Sequence, residues 1–163
     1  MKRNLLIRSV LLAWFISLNP IFLLAAPIEY ELVDIYGENK RISDYQGRLL
    51  LVNFWATWCG PCIQEIPDLI EFRNTFGDRI EVIGVAFEKT PVDQIRDFAE
   101  ELKINYPVLL IGDEPLVPME PLKGLPSTFF LSPTGELLKT HVGPVTTNQL
   151  ERWLLEFDAQ VEN

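Results

Sequence analysis

The spacing of hydrophobic residues changes repeatedly along the chain between that of a β-strand and that of an α-helix. Short apolar runs with few polar interruptions predict three buried strands, at residues 48–54, 80–87 and 106–111. Apolar residues with helical spacing predict three amphipathic helices, at residues 63–76, 91–102 and 147–157. Most of the chain is therefore expected to alternate between strands and helices.

Shorter segments complete the predicted order. Rough alternation around a turn cluster at residues 37–40 predicts an N-terminal hairpin, and residues 43–47 predict a short helical turn. A second hairpin is predicted at residues 127–131 and 136–142. Residues 112–121 are too rich in proline for long regular structure. This order predicts an α/β fold, in which a central mixed β-sheet has helices on both faces.

The first 26 residues have the composition of a targeting segment. Lys2, Arg3 and Arg8 give a basic start, an apolar stretch follows at residues 10–24, and two alanines end the segment. A cleaved signal peptide is the first interpretation, and an uncleaved N-terminal membrane anchor is the alternative, with possible membrane association through residues 5–26. Residues 27–163 are then expected to form one domain outside the cytoplasm, in the periplasm or at the outer face of the membrane.

The charge of the chain argues against one class of partner. With 14 Lys and Arg against 23 Asp and Glu, the formal net charge is −9. The leader holds three of the basic residues and no acidic one, so the rest of the chain carries −12. Nucleic-acid binding requires a basic surface, and a nucleic-acid partner is therefore not expected.

The two cysteines of the chain, Cys59 and Cys62, stand between a predicted strand and a predicted helix. The N-terminus of a helix favours a thiolate over a thiol, because unpaired N–H groups and the positive end of the dipole point toward it. A disulfide between them would close too short a loop to stabilise a fold appreciably. The pair is therefore expected to serve chemistry, with Cys59 as the attacking nucleophile and Cys62 as the resolving thiol.

The residues around this pair resemble a known family. Residues 54–62 read Phe-Trp-Ala-Thr-Trp-Cys-Gly-Pro-Cys, Glu65 and Pro67 follow, and Gly-Leu-Pro-Ser-Thr stands far downstream at residues 124–128. Together these segments resemble the thioredoxin superfamily, and within it the TlpA/ResA-like extracytoplasmic thiol–disulfide oxidoreductases. The resemblance runs from about residue 31 to the C-terminus. It implies a thioredoxin fold with an N-terminal hairpin and one inserted helix–strand unit, at residues 91–111.

Glu65 is the third candidate catalytic residue. It lies three residues beyond Cys62, so the two side chains face roughly the same side of the predicted helix. A carboxylate there could take the proton of Cys62 during resolution, and the resemblance implies an active-site role for a glutamate at this position. Asn53 stands where the thioredoxin pattern often has a buried aspartate, and an amide cannot do acid–base work.

The candidate substrate-binding residues lie on both sides of the cysteines. Gly60 and Pro61 leave the approach to the sulfur open, and Trp58 could contact substrate. The resemblance implies that Pro126 follows a cis peptide bond, and that the backbone of Leu125 pairs with an extended substrate peptide. Two further residues are weighed separately: Trp55 fits either the core or the site, and His141, the single histidine, is expected to be structural.

The resemblance, and glycine and proline between the cysteines, favour a reductant of disulfides in exported proteins, apocytochrome c being one candidate. It would need a membrane electron donor but no cofactor and no metal beyond its own redox-active disulfide. A carrier of Cu(I) or zinc is an alternative, although two cysteines and one distant histidine are too few for tetrahedral zinc. A thiol peroxidase is another alternative, although the chain lacks the proline and threonine that peroxiredoxin-like proteins place before their reactive cysteine. A non-catalytic binding module is the third.

Overall fold

The computed structural model describes residues 30–113, 116 and 119–161, and side chains as far as residue 159. The β-strands are β1 (Glu31–Val33), β2 (Asn39–Arg41), β3 (Leu49–Trp55), β4 (Ile80–Ala86), β5 (Val108–Leu110), β6 (Ser127–Leu131) and β7 (Leu137–Val142). The α-helices are α1 (Gly60–Phe76), α2 (Val92–Glu101) and α3 (Thr147–Val161), and a 3-10 turn spans Ile42–Tyr45. The predicted leader lies outside the described residues.

Five strands form one mixed sheet in the order β5-β4-β3-β6-β7, with β3 at its centre. β3 pairs in parallel with β4 and antiparallel with β6, so both of its edges are hydrogen-bonded. β5 joins β4 in parallel, and β7 joins β6 antiparallel. Every residue of β3 is buried, as expected for the near-continuous apolar run that encodes it. The first two strands form a separate antiparallel hairpin.

Helical segments cover both faces of the sheet, but unequally. On one face the strands pack against α1 and α3 through Leu49, Leu51, Leu69, Phe72, Val82, Phe130, Leu150 and Leu154. On the same face α2 packs near Trp55 and Ala86 through Ile95 and Ala99. The opposite face is covered by the β1–β2 hairpin, the 3-10 turn and the loop after β5, through Leu32, Ile42, Leu116 and Met119. The three α-helices thus share one face.

The element order agrees with the sequence prediction, including the inserted unit, which is formed by α2 and β5. Several boundaries differ by a few residues: β5 spans only Val108–Leu110 instead of residues 106–111, α3 extends to Val161, and the starts of α1 and α2 are shifted. α1 begins at Gly60, three residues before the predicted start, because Cys59 itself occupies the N-cap position. Pro91 is the N-cap of α2, immediately before its first residue. α1 also runs without interruption through Pro67. Within the described part of the chain, no helix has the length and apolar character needed to cross a bilayer.

Candidate active site

The two cysteines lie where the central strand passes into α1, at the carboxyl edge of the parallel strands. Cys59 caps α1, its Sγ accepting a hydrogen bond from the backbone N–H of Cys62 at 3.3 Å, and the two sulfurs form a disulfide. In this oxidised state Cys59 is 6% exposed and Cys62 is fully buried. Cys59 is therefore the more accessible of the two residues, in agreement with its expected role as the attacking nucleophile.

The first turn of α1 leaves open space beside the disulfide. A Cβ added to Gly60 would meet no other atom within 4 Å. Pro61 follows in the first turn, where its missing N–H costs the helix no hydrogen bond. Backbone N–H groups at this end of the helix lie close to the Cys59 sulfur, which is the arrangement that favours a thiolate after reduction.

A cavity of about 620 Å³ opens directly over Cys59. It is lined by Trp58, Cys59, Gly60, Pro61, Phe87, Leu122, Lys123, Gly124 and Leu125. Four of the predicted substrate-binding residues are in this lining; the fifth, Pro126, is buried immediately behind Leu125. The Leu125–Pro126 peptide bond is cis, as the resemblance implies. Trp58 is 69% exposed and presents apolar surface to the cavity beside Cys59.

Glu65 is buried on α1, with 1% of its surface exposed. One carboxylate oxygen, Oε1, accepts a hydrogen bond from Asn53 Nδ2 at 2.8 Å, and Oε2 accepts one from the backbone N–H of Val145, also at 2.8 Å. Burial raises the pKa of Glu65 to about 7; these two hydrogen bonds oppose the rise, and the charge of Asp68 adds to it. A buried carboxyl group that titrates near neutral pH thus lies one helical turn beyond Cys62.

Asn53 is the main functional residue that the sequence reasoning undervalued. Its side chain lies on the α1 face of β3, fully buried, where Nδ2 donates to Glu65 and to Thr128 Oγ1, the latter at 3.1 Å. Its Oδ1 has no hydrogen-bond partner among the described residues. The available signal was an amide inside an otherwise apolar strand, since a buried amide needs partners. Asn53 holds the acidic group instead of supplying it.

Two residues that could have contacted substrate make packing contacts instead, Trp55 within the buried cluster that also holds the cysteines and His141 on β7. Trp55 is fully buried and stacks on Phe98 of α2, with ring centroids 5.6 Å apart, so it belongs to the core. His141 lies on β7 against Trp153, at a centroid distance of 5.2 Å. That position fits the structural role expected of it. Among the residues that the structure describes, no three His, Cys, Asp or Glu side chains cluster as a metal site would require.

Fold and site together define a class. A thioredoxin fold with a Cys-x-x-Cys disulfide at the start of α1, beside a cis-proline, is that of a thiol–disulfide oxidoreductase. The chain belongs to the AhpC/TSA family, whose model matches residues 25–140. Within this thioredoxin-like family its similarity is to the ResA-like oxidoreductases, which agrees with the resemblance seen in the sequence.

Individual relatives also support this assignment to the thioredoxin-like oxidoreductases. The chain is 30% identical over 128 residues to the thioredoxin-like protein YneN of Bacillus subtilis, covering 77% of this chain and 75% of that one. It is 29% identical to the thiol-disulfide oxidoreductase ResA of Geobacillus kaustophilus, over 77% of this chain and 72% of that one. Among solved structures, StoA from Bacillus subtilis superposes with a TM-score of 0.68 at 28% identity, covering 79% and 98% of the two chains.

Proposed function

We propose that this oxidoreductase works outside the cytoplasm as a reductant, and opens disulfides in exported proteins. The observation that carries the proposal is the combination of a helix-capping Cys59, an apolar cavity over its sulfur and a buried glutamate one turn beyond Cys62. The cavity suits an unfolded peptide segment better than a folded surface, because it is concave and mainly apolar. Exported proteins are the fitting substrates, since disulfides form and persist in oxidising compartments.

The reaction uses the dithiol form of the pair. The Cys59 thiolate attacks one sulfur of the substrate disulfide; the substrate S–S bond breaks, and the second substrate sulfur leaves as a thiolate that takes up a proton. Cys62 then loses its proton and attacks Cys59, which releases the first substrate sulfur. The substrate gains two electrons and two protons, and the enzyme is left with the Cys59–Cys62 disulfide seen in the structure.

Glu65 is the proton acceptor for the second step. Cys62 is fully buried and must be deprotonated before it can attack. A carboxylate with a pKa of about 7 is a suitable base at neutral pH, because it is partly ionised and still basic enough to hold a proton. Its hydrogen bonds to Asn53 and Val145 fix its position through the cycle.

Several features support an extracytoplasmic reductant. The N-terminal segment has the composition of a signal peptide or membrane anchor, and a structural relative of 27% identity is described as an exposed lipoprotein thioredoxin of Streptococcus pneumoniae. Glycine and proline between the cysteines place no positive charge next to the thiolate, so these two residues add no stabilisation to the reduced form. A membrane electron donor would return the pair to the dithiol state, and no cofactor beyond the cysteines is required.

A trapping experiment tests the proposal. Full-length protein carrying Cys62→Ala is incubated with a peptide that contains a Cys-x-x-Cys-His disulfide, the haem-attachment motif of apocytochromes c, and separately with oxidised insulin. A stable mixed disulfide at Cys59 is expected, and preference for the first peptide would support an apocytochrome substrate. The Cys59→Ala, Cys62→Ala double variant is the matched control. Absence of any adduct would contradict the reductase function.

A further inference from the structure

Glu88 contacts the active-site loop although it takes no part in the proton and electron transfers of the reaction. It follows the end of β4, where Phe87 still pairs with β3 by donating its N–H to Trp55 O at 2.8 Å. Because the carboxyl ends of parallel strands lie side by side, Glu88 sits next to the loop that leaves β3. Its carboxylate is half-buried against Thr57, two residues before Cys59.

Both carboxylate oxygens hold this loop. Oε1 accepts a hydrogen bond from the backbone N–H of Thr57 at 2.6 Å, and Oε2 accepts one from the Thr57 hydroxyl at 2.9 Å. The Thr90 hydroxyl also donates to Oε2. Three donors converge on one side chain, and charge-assisted bonds of this kind are stronger than neutral ones.

Thr57 lies in the turn that leads to Cys59. The backbone N–H of Cys59 donates to Ala56 O at 3.1 Å, so residues 56–59 form a turn with Thr57 and Trp58 at its centre. The N–H of the first central residue of a turn points away from it and needs an outside partner, which Glu88 supplies. This turn presents Trp58 to the cavity and delivers Cys59 to the N-cap of α1.

The charge of Glu88 has a second effect. Charged side chains in the region of the nucleophile include Glu88 beside the turn, Lys123 in the lining of the cavity over Cys59, and Glu65 on α1, three residues beyond Cys62. Lys89, the neighbour of Glu88, is paired with Asp113. A fixed negative charge beside the turn disfavours a thiolate at Cys59. Destabilising the thiolate destabilises the reduced enzyme and makes it the stronger reductant.

We propose that Glu88 is a positioning residue for Cys59: it fixes the turn that carries the nucleophile, and its charge holds the dithiol at a more reducing potential. The inference deepens the proposed function and rests on it. The two effects separate by substitution. Glu88→Gln removes the charge and keeps an oxygen acceptor for the Thr57 N–H, and the Thr57 and Thr90 hydroxyls can turn to accept from its NH2 group. Glu88→Ala removes the charge and all of these contacts.

The test measures three quantities in full-length reduced protein: the pKa of Cys59 by thiolate absorbance, the midpoint potential in glutathione buffers, and the exchange rate with the uncharged probe 2-hydroxyethyl disulfide. Glu88→Gln should lower the pKa of Cys59 by about 0.5 unit, the size of a single charge acting through a half-exposed site, and raise the potential. Glu88→Ala should slow exchange about tenfold at equal thiolate fraction, because the nucleophile is less well placed.

The control is Glu156→Gln, which removes an equal charge from an exposed site near the far end of α3. If Glu88→Gln matches this control in both pKa and potential, the charge effect is refuted. If Glu88→Ala exchanges at the wild-type rate, the positioning effect is refuted. Thr57→Val, which removes only the hydroxyl donor, substitutes for Glu88→Ala if that variant does not fold. The pKa of Cys59 is measured without any protein substrate, so failure of the reductase assignment would leave this result standing.

Discussion

The buried carboxyl group of Glu65 should make the stability of the oxidised protein depend on pH in an unusual direction. Most acidic groups of a folded protein have a lowered pKa, and their contribution to stability is lost at low pH. Glu65 has a pKa of about 7, against the ordinary 4.5 that it regains on unfolding. Between these two values the folded state binds more protons than the unfolded state. The contribution of Glu65 to the free energy of unfolding is therefore complete below about pH 4.5 and is lost as the pH rises through 7.

The size of the effect follows from the two pKa values. Each factor of ten in a proton equilibrium corresponds to about 1.4 kcal/mol, so a rise from 4.5 to about 7 amounts to about 3 kcal/mol of unfolding free energy. Glu65→Gln removes the titration and keeps the shape. The new amide can still meet the neighbouring Asn53, because rotation of that side chain would present its unpaired Oδ1 as an acceptor.

The measurement is denaturant unfolding of the oxidised wild type and of Glu65→Gln from pH 4.5 to 8.5, without reductant. Taking the difference between the two proteins at each pH cancels the titration of all other groups. The wild type should lose about 3 kcal/mol relative to the variant across this range. Glu156→Gln, at an exposed site, should give a difference that is nearly flat with pH. Parallel curves for wild type and Glu65→Gln would refute the raised pKa of Glu65.

Two further predictions concern the nucleophile and the core. Iodoacetamide applied to the reduced protein at mildly acidic pH should label Cys59 and spare Cys62, since only the first sulfur borders the cavity; preferential labelling of Cys62 would reverse the assigned roles. Gly84→Ala should destabilise the protein by about 1–3 kcal/mol in denaturant unfolding, as overpacking does, because its Cβ would lie 2.9 Å from Trp55 Nε1 and 3.1 Å from Tyr106 Cε2. An unchanged midpoint of unfolding would contradict this description of the core.

Local patterns predicted most of the fold. The apolar run of the central strand, the helical spacing after the cysteines and the turn residues of the two hairpins each set a local structure, and the elements follow within a few residues. The face of the sheet on which α2 packs was not predictable. The amphipathic pattern of α2 fixes which side of the helix is buried, but not which face of the sheet that side lies against. That choice depends on long-range packing.

The residues of the site, like the elements of the fold, could be predicted only in part. Cys59, Cys62 and Glu65 could be identified from the sequence, because their spacing along one helix fixes their relative positions. The hydrogen-bond partners that oppose the rise in the pKa of Glu65 could not be identified in this way, since Asn53 lies on β3 and Val145 lies 80 positions further along the chain. Tertiary contacts of this kind leave no local signal. An isolated polar residue in a buried strand is the one indication that such a partner must exist.

The midpoint potential of the Cys59–Cys62 pair is the most direct test of the reductase account. Thioredoxin and the oxidant DsbA differ by about 150 mV, which corresponds to about 7 kcal/mol for two electrons, too much for minor surface differences to obscure. Equilibration of the full-length protein against glutathione and dithiothreitol buffers, followed by trapping of free thiols, gives the value. The account predicts a potential below about −200 mV. A value of about −120 mV would contradict it and identify the protein as an oxidant with the same fold.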